Sequence, residues 1–161
     1  MASTPSTRDP IAKALSLGRD GRSSKAWADV LGAMPLFHGL SHRHLRRVAG
    51  KATVKRYAPY TAIVRMDDTG DAFYIILDGT ANVRRSGKRN IKLRPGDFFG
   101  EMALLDAAPR SATVEAETEV LTMRLGRAAF QKVLDEEPKV ASAMLRTMAR
   151  RLREAQPAVT D

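Results

Sequence analysis

Seven short strand-like runs, separated by turn residues, fill residues 53–124 and constrain the fold more than any other feature of the sequence. Turns such as Asp78-Gly79 and Pro95-Gly96 place glycine where a positive φ carries no steric penalty. Short strands at this regular spacing are typical of antiparallel barrels and jelly rolls. The predicted strands cover residues 53–57, 62–66, 72–77, 80–84, 90–93, 111–116 and 119–124.

Helical periodicity flanks this β segment on both sides. Before it, residues 23–50 contain one predicted helix that ends near Pro35 and a second that Ser41 caps. After it, two more helices are predicted at 126–136 and 139–155. The last of them has an apolar stripe of Val140, Ala141, Met144, Leu145, Met148 and Leu152. The predicted class is α+β, mainly β: an antiparallel jelly-roll-like β-roll flanked by N-terminal helices and two C-terminal helices.

The two ends of the chain are predicted to lie outside this domain, which spans residues 23–156. Residues 1–22 are rich in Ser, Thr, Arg, Gly and Pro, which predicts a flexible basic arm, and residues 157–161 form a short tail. Residues 1–56 hold 11 Lys or Arg against 3 Asp or Glu, a net charge of +8. Such a basic end attracts nucleic acid or anionic lipid, although an ordinary solvated surface explains it equally well.

Several classes of site are disfavoured by what the sequence lacks. The 161 residues include no cysteine, which excludes disulfides, iron–sulfur clusters and cysteine-rich zinc sites. His38, His42 and His44 lack a carboxylate at metal-ligand spacing, so no metal is expected. No apolar run approaches the length of about 18 residues that spans a membrane, and no secretory signal begins the chain. We therefore expect a cytoplasmic protein with no membrane contact.

One segment carries residue types suited to binding an anion beside a hydroxyl. Gly100 leaves the backbone open just before a short predicted helix at 102–106, whose first N–H groups are unpaired. The planar guanidinium of Arg110 can hold two phosphate oxygens, whereas the carboxylate of Glu101 suits a sugar hydroxyl. The alternative is structural: Glu101 caps the helix and Arg110 pairs with it. No nucleophile accompanies Glu101, so the chain is not expected to be an enzyme.

The segment 99–114, F-G-E-M-A-L-L followed by P-R-S-A-T-V, closely resembles the phosphate-binding cassette of cyclic nucleotide-binding domains. This family includes the catabolite activator protein, protein kinase A regulatory subunits and nucleotide-gated channels. The hairpin at 73–83 and the segments at 36–41 and 94–97 resemble further family elements in the same order. The turns at 57–60 and 66–70 depart from the family pattern, which affects local loop shape.

The resemblance implies a role for each candidate site residue. Arg110 would bind the equatorial exocyclic oxygen of the cyclic phosphate, and Glu101 would accept from the ribose 2′-hydroxyl. The other implied ligand-binding residues are Gly100, Met102, Ala103 and Ser111 around the phosphate, Val83 and Ile91 on the base side, and Arg151 as a cap over the base, with Arg150 and Arg153 as competitors for that place.

These residues lead to one functional hypothesis and two alternatives. We expect a stand-alone cyclic mononucleotide receptor, cAMP favoured over cGMP, that switches a downstream protein partner and needs no further cofactor. Residues 156–161 are too short for a DNA-binding domain of the catabolite activator type, so DNA binding is not expected. A homodimer through Met144, Met148 and Leu152 is a further expectation. The alternatives are a nucleic-acid-binding regulator that uses the basic arm, and a degenerate interaction domain that binds no nucleotide.

Overall fold

The computed structural model describes residues 8–17 and 21–155, which form two antiparallel sheets with helices packed against one of them. Its helices are α1 (Arg8–Ser16), α2 (Gly21–Gly32), α3 (His42–Lys51), α4 (Glu101–Leu105), α5 (Arg127–Glu136) and α6 (Pro138–Ala155), with a 3₁₀ turn at Pro35–Phe37. Its strands are β1 (Thr53–Tyr57), β2 (Ala62–Val64), β3 (Ala72–Asp78), β4 (Ala81–Arg84), β5 (Ile91–Leu93), β6 (Phe98–Phe99), β7 (Thr113–Ala116) and β8 (Val120–Gly126). The predicted α+β class, with a β-roll between flanking helices, is confirmed.

The first sheet has the order β1-β8-β3-β6 and the second has the order β2-β7-β4-β5. Strand β3 lies inside the first sheet, and its side chains alternate between two separate apolar cores. Tyr74 and Ile76 point into the core between the sheets, whereas Phe73 and Ile75 point towards the helices. Because β3 is covered on both faces, it forms a rigid frame for the neighbouring strand β6.

The N-terminal prediction is wrong over residues 8–16, where the structure has helix α1 instead of a flexible arm. Ile11 and Ala14 on this helix are 5% and 1% exposed and belong to the helix-side core. A helix this short is marginal on its own, so its packing against α2 stabilises it. Helix α2 also begins at Gly21, two residues before its predicted start. The rest of the predicted arm, at 1–7 and 18–20, and the tail at 157–161 lie outside the described residues.

Helix α6 divides its predicted apolar stripe between two environments. Val140 and Met144 are buried in the helix-side core, whereas Leu145 and Leu152 are 68% and 60% exposed. The dimer surface that we predicted included Met144, and this part of the prediction is wrong because Met144 packs inside its own chain. The orientation of the helix on the core, which sequence spacing alone does not fix, decides which residues face out.

Polar contacts fix helix α3 at both of its sides. The Ser41 hydroxyl accepts from the backbone N–H of His44 at 3.4 Å, so the predicted N-cap is confirmed. The His44 ring Nδ1 lies 2.7 Å from Oε2 of Glu137, a buried residue between α5 and α6. His42 lies 3.3 Å from the carboxylate of Asp29.

Among the helices of the described ranges, none has the length and apolar character needed to cross a bilayer.

Candidate ligand-binding site

Strand β6 delivers the chain into the candidate site through a glycine in the left-handed region. Phe99 pairs with Tyr74 of β3, and their rings stack with centroids 5.0 Å apart. Gly100 follows with φ +93° and is the N-cap residue of α4. A Cβ at this position would lie 2.7 Å from Nη1 of Arg110 and 2.8 Å from the carbonyl oxygen of Ala72. Glycine is therefore required here for both its backbone angle and its lack of a side chain. Strand β6 is not among the seven predicted runs, because two residues carry no periodicity.

The Arg110 side chain is 5% exposed and lies beneath the start of α4. Its Nη1 donates to the carbonyl oxygen of Gly100 at 2.7 Å, and its Nη2 donates to the carbonyl oxygen of Ala72 at 2.6 Å. Backbone hydrogen bonds to Asp67 and Asp68, at 2.9 and 2.8 Å, hold Arg110 from the other side. The cassette arginine is thus positioned by three separate parts of the chain.

Arg110 has no direct carboxylate partner among the residues that the structure describes. None of the ion pairs found within residues 8–17 and 21–155 includes it. Burial lowers the pKa of Arg110 from its ordinary value, and Tyr74, Asp71 and Glu101 act in the opposite direction. Arginine keeps its proton in proteins, so the charge stays. A buried cation whose partners are backbone carbonyls can gain free energy by meeting an anion.

Glu101, the first residue of α4, is 4% exposed and has a free acceptor atom. Its Oε1 lies 3.5 Å from Nη1 of Arg151, whereas Oε2 is buried and has no hydrogen-bond partner among the described residues. Burial raises the pKa of Glu101, although its own backbone N–H, Arg151 and Arg110 all favour the charged form. A buried carboxylate oxygen without a donor is suited to accept from a ligand hydroxyl.

The structural alternative for this pair is wrong. Glu101 and Arg110 form no ion pair, since the carboxylate of Glu101 pairs with Arg151 instead. Nor is Glu101 the cap of α4, because the N-cap residue is Gly100. The two charged residues therefore lie near one another without forming an ion pair.

Arg151 of α6 reaches back to this site from the far end of the chain. Its Nη2 donates to the carbonyl oxygen of Phe98 at 2.7 Å, and its guanidinium lies 4.4 Å from the centroid of the Phe98 ring. The guanidinium is engaged by these contacts, whereas the predicted cap over a base requires a free guanidinium. Sequence reasoning missed the contacts with Phe98 and Glu101 because they join residues about 50 positions apart.

The remaining predicted residues lie around the same cassette. Ala103 is 4% exposed and lies close to Gly70, where an added Cβ would come within 2.5 Å of it. The side chain of Met102 is 51% exposed, and Ser111 is also exposed. Val83 and Ile91 lie opposite each other on β4 and β5 and therefore on one face of the second sheet.

The second sheet connects these two residues to the cassette. Val83 also lies opposite Val114 of β7, the strand that begins three residues after Arg110. Val83 packs against the core between the sheets, whereas Ile91 is 45% exposed. Val83 is thus a partly exposed apolar position next to the cassette.

Comparisons of this chain with known proteins agree on one family. The cyclic nucleotide-binding domain family matches residues 54–137. A cAMP-dependent protein kinase regulatory subunit of Colletotrichum orbiculare is 36% identical over 112 residues, which cover 68% of this chain and 29% of that protein. A cyclic nucleotide-gated potassium channel of Mesorhizobium japonicum is 34% identical over 134 residues, which cover 83% of this chain and 37% of the channel. The chain thus spans about a third of these curated relatives.

A solved structure resembles the described fold over nearly its whole length. The structure of Sp-2Cl-cAMPS bound to PKAR CBD2 superposes with a TM-score of 0.74 at 26% identity. The superposition covers 89% of this chain and 98% of that one.

Proposed function

This chain belongs to the cyclic nucleotide-binding domain family, and from that premise we propose that it is a receptor for a cyclic mononucleotide that prefers cAMP to cGMP. The observation that carries the proposal is the buried guanidinium of Arg110, whose direct partners within the described residues are two backbone carbonyls and no carboxylate. An anionic phosphate would supply the missing negative charge in a site where water is largely excluded.

A second observation restricts the ligand to one that also has a hydroxyl. The buried Oε2 of Glu101 lacks a donor in the part of the chain that the structure describes, and this residue is only nine positions from Arg110. A free inorganic phosphate would bring negative charge towards that carboxylate, which is unfavourable. A cyclic nucleotide has one anionic phosphate and one free ribose hydroxyl, which complements both residues.

We propose a role for each residue around Arg110 and Glu101. Arg110 binds the exocyclic phosphate oxygen, and Glu101 accepts from the ribose 2′-hydroxyl. The remaining proposed contacts are the backbone of Gly100, Met102, Ala103 and Ser111 with the phosphate, and Val83 and Ile91 with the base. Arg151 would have to leave Phe98 before it could cap the base.

The contact between Glu101 and Arg151 supplies a route from the ligand to helix α6. A ribose hydroxyl that bonds to Glu101 changes the electrostatic environment of Arg151, which in turn holds Phe98. A ligand shifts a conformational equilibrium only when it binds one arrangement more tightly than the other. We propose that the two arrangements differ in how α6 lies on β6, and that a downstream protein partner recognises one of them.

The preference for cAMP is proposed from the resemblance of the cassette and from relatives named as cAMP-dependent. Ser111 has a hydroxyl beside the phosphate site that is able to contact guanine, so the two nucleotides must be compared directly. In a displacement titration with a fluorescent cAMP analogue, cAMP should displace the probe at lower concentration than cGMP. The open-chain nucleotide 5′-AMP serves as the control and should displace it poorly. Failure of both cyclic nucleotides to displace the probe, or displacement by 5′-AMP at the concentration needed for cAMP, would contradict the proposal.

A further inference from the structure

A groove of about 1060 Å³ lies between the 3₁₀ turn at Pro35–Phe37 and helix α6, and Arg151 is one of the residues that line it. Neither Arg110 nor Glu101 lines it. Its floor is mainly apolar and includes Met34, Leu36, Phe98 and Ala143. It is therefore a concave surface that does not include the two charged residues of the cassette.

One wall of this groove is a row of cations on α6. Lys139, Arg146 and Arg150 are spaced by seven and four residues, which places them on a single face of the helix. The row is about 16 Å long at the rise of an α-helix. Lys139 Nζ donates to the carbonyl oxygen of Gly39 at 3.0 Å and so closes one end of the groove.

The other two cations of the row face solvent. Arg146 and Arg150 are exposed, and no ion pair in the described part of the chain includes either of them. His38 lines the groove as well. The acid that lines it, Asp97, already accepts a hydrogen bond from the backbone N–H of Arg94 at 2.8 Å. The wall thus presents positive charge above an apolar floor.

We propose that this groove binds an acidic, extended peptide segment of a partner protein, with carboxylates on the cations of α6 and apolar side chains on the floor. An extended chain rises about 3.3 Å per residue, so the row of cations matches a segment of about five residues. Alternation of acidic and apolar residues would direct one set to the wall and the other to the floor.

The same surface is poorly suited to nucleic acid. Single strands bind through aromatic side chains on which the bases stack, as well as through positive charge. Among the described residues that line the groove, Phe98 is the one Phe, Tyr or Trp, and the guanidinium of Arg151 already covers its ring at 4.4 Å. The apolar floor without a free aromatic face favours a peptide.

Fluorescence anisotropy with a labelled octapeptide of alternating Glu and Leu tests this proposal in the absence of nucleotide. The full chain should bind this peptide saturably and should bind the matched peptide of Gln and Leu much more weakly. The double variant Arg146→Glu/Arg150→Glu should lose about tenfold in affinity, since two exposed attractions become repulsions. The double variant Arg43→Glu/Arg47→Glu on α3 makes the same change in net charge outside the groove and should bind as the unmodified chain does.

Three results would overturn the proposal. The first is no binding of the acidic peptide by the unmodified chain. The second is an equal loss in both double variants, which would indicate general charge attraction, provided that thermal unfolding shows both to be folded. The third is tighter binding of a single-stranded DNA of twelve nucleotides with the same dependence on Arg146 and Arg150, which would assign the groove to nucleic acid. Because no nucleotide is present, none of these results bears on cyclic nucleotide binding.

Discussion

Arg110 donates a hydrogen bond of 2.7 Å from Nη1 to the carbonyl oxygen of Gly100, ten residues earlier in the chain. The glycine contributes this acceptor and, by lacking a Cβ, also leaves the space that the guanidinium fills. Backbone conformation and side-chain position are therefore coupled at the start of α4. A change at Gly100 should affect both the stability of the fold and the binding of an anion.

Gly100→Ala should destabilise the fold and weaken cAMP binding. An alanine at φ +93° costs about 1–2 kcal/mol, and its Cβ would displace Arg110. The matched control is Gly87→Ala, because Gly87 has φ +69° but nothing within 4 Å of an added Cβ. Urea denaturation should show a free-energy loss in both variants, whereas calorimetry should show weaker cAMP binding only in Gly100→Ala. Equal cAMP affinities in the two variants would argue against the coupling.

Glu101→Gln should make the ligand-free protein more stable at neutral pH. Burial raises the pKa of Glu101, so the folded state binds this proton more tightly than the unfolded state does. The contribution of Glu101 to the stability of the unmodified protein should therefore rise as the pH falls through the raised pKa towards the ordinary glutamate value of about 4.3. Glutamine is neutral throughout, so the advantage of the variant should be largest near pH 7 and shrink on acidification.

The same substitution should weaken cAMP binding, because an amide oxygen accepts a weaker hydrogen bond than a carboxylate does. Urea denaturation at several pH values, with and without cAMP, measures both effects. In excess cAMP the unmodified protein should recover part of the difference in unfolding free energy at pH 7. If the variant is less stable than the unmodified protein at pH 7, or if its advantage in stability grows on acidification, the buried charge of Glu101 does not destabilise the fold.

Arg151→Ala should separate nucleotide binding from the response of helix α6. The substitution removes the hydrogen bond to Phe98 and the contact with Glu101, while Arg110 keeps its place in the cassette. In hydrogen exchange, cAMP should change the protection of α6 amides in the unmodified chain and change it much less in Arg151→Ala. The neighbouring exposed Arg150→Ala is the control and should respond as the unmodified chain does. An undiminished response in Arg151→Ala would exclude this route.

The β-roll was predictable from sequence because its turns and alternation are local signals. Strand β1 lies where the spacing predicted it, and Gly79 and Gly96 have the positive φ that their turns required. Continuous burial along β3 follows from having a core on each side of one sheet. Elements that depend on tertiary packing were harder to predict from the sequence. Among residues 10–16 of helix α1, for which burial is described, Ile11 and Ala14 are the buried positions, so packing against α2 and not propensity decides its existence.

The residue types of the candidate site, and their order in the chain, were predictable from the sequence. The segment from Gly100 to Arg110 contains the glycine, the carboxylate and the guanidinium that an anion and a hydroxyl require. The sequence left open whether Glu101 and Arg110 pair with each other, because spacing does not determine which partner a buried charge takes. The answer depends on Arg151, which reaches Glu101 only through the packing of α6 on β6.

Calorimetric titration with cAMP of the unmodified chain and of Arg110→Ala tests the central claim most directly. The unmodified chain should bind one cAMP per chain, and Arg110→Ala should lose about 2–5 kcal/mol of binding free energy, because the phosphate is left without its cation. Arg110→Lys retains the charge without the bidentate guanidinium, so its affinity for cAMP should lie between those of the unmodified chain and Arg110→Ala. Thermal unfolding should show that each variant is folded. Absence of binding by the folded unmodified chain, or equal affinity in folded Arg110→Ala, would contradict the account.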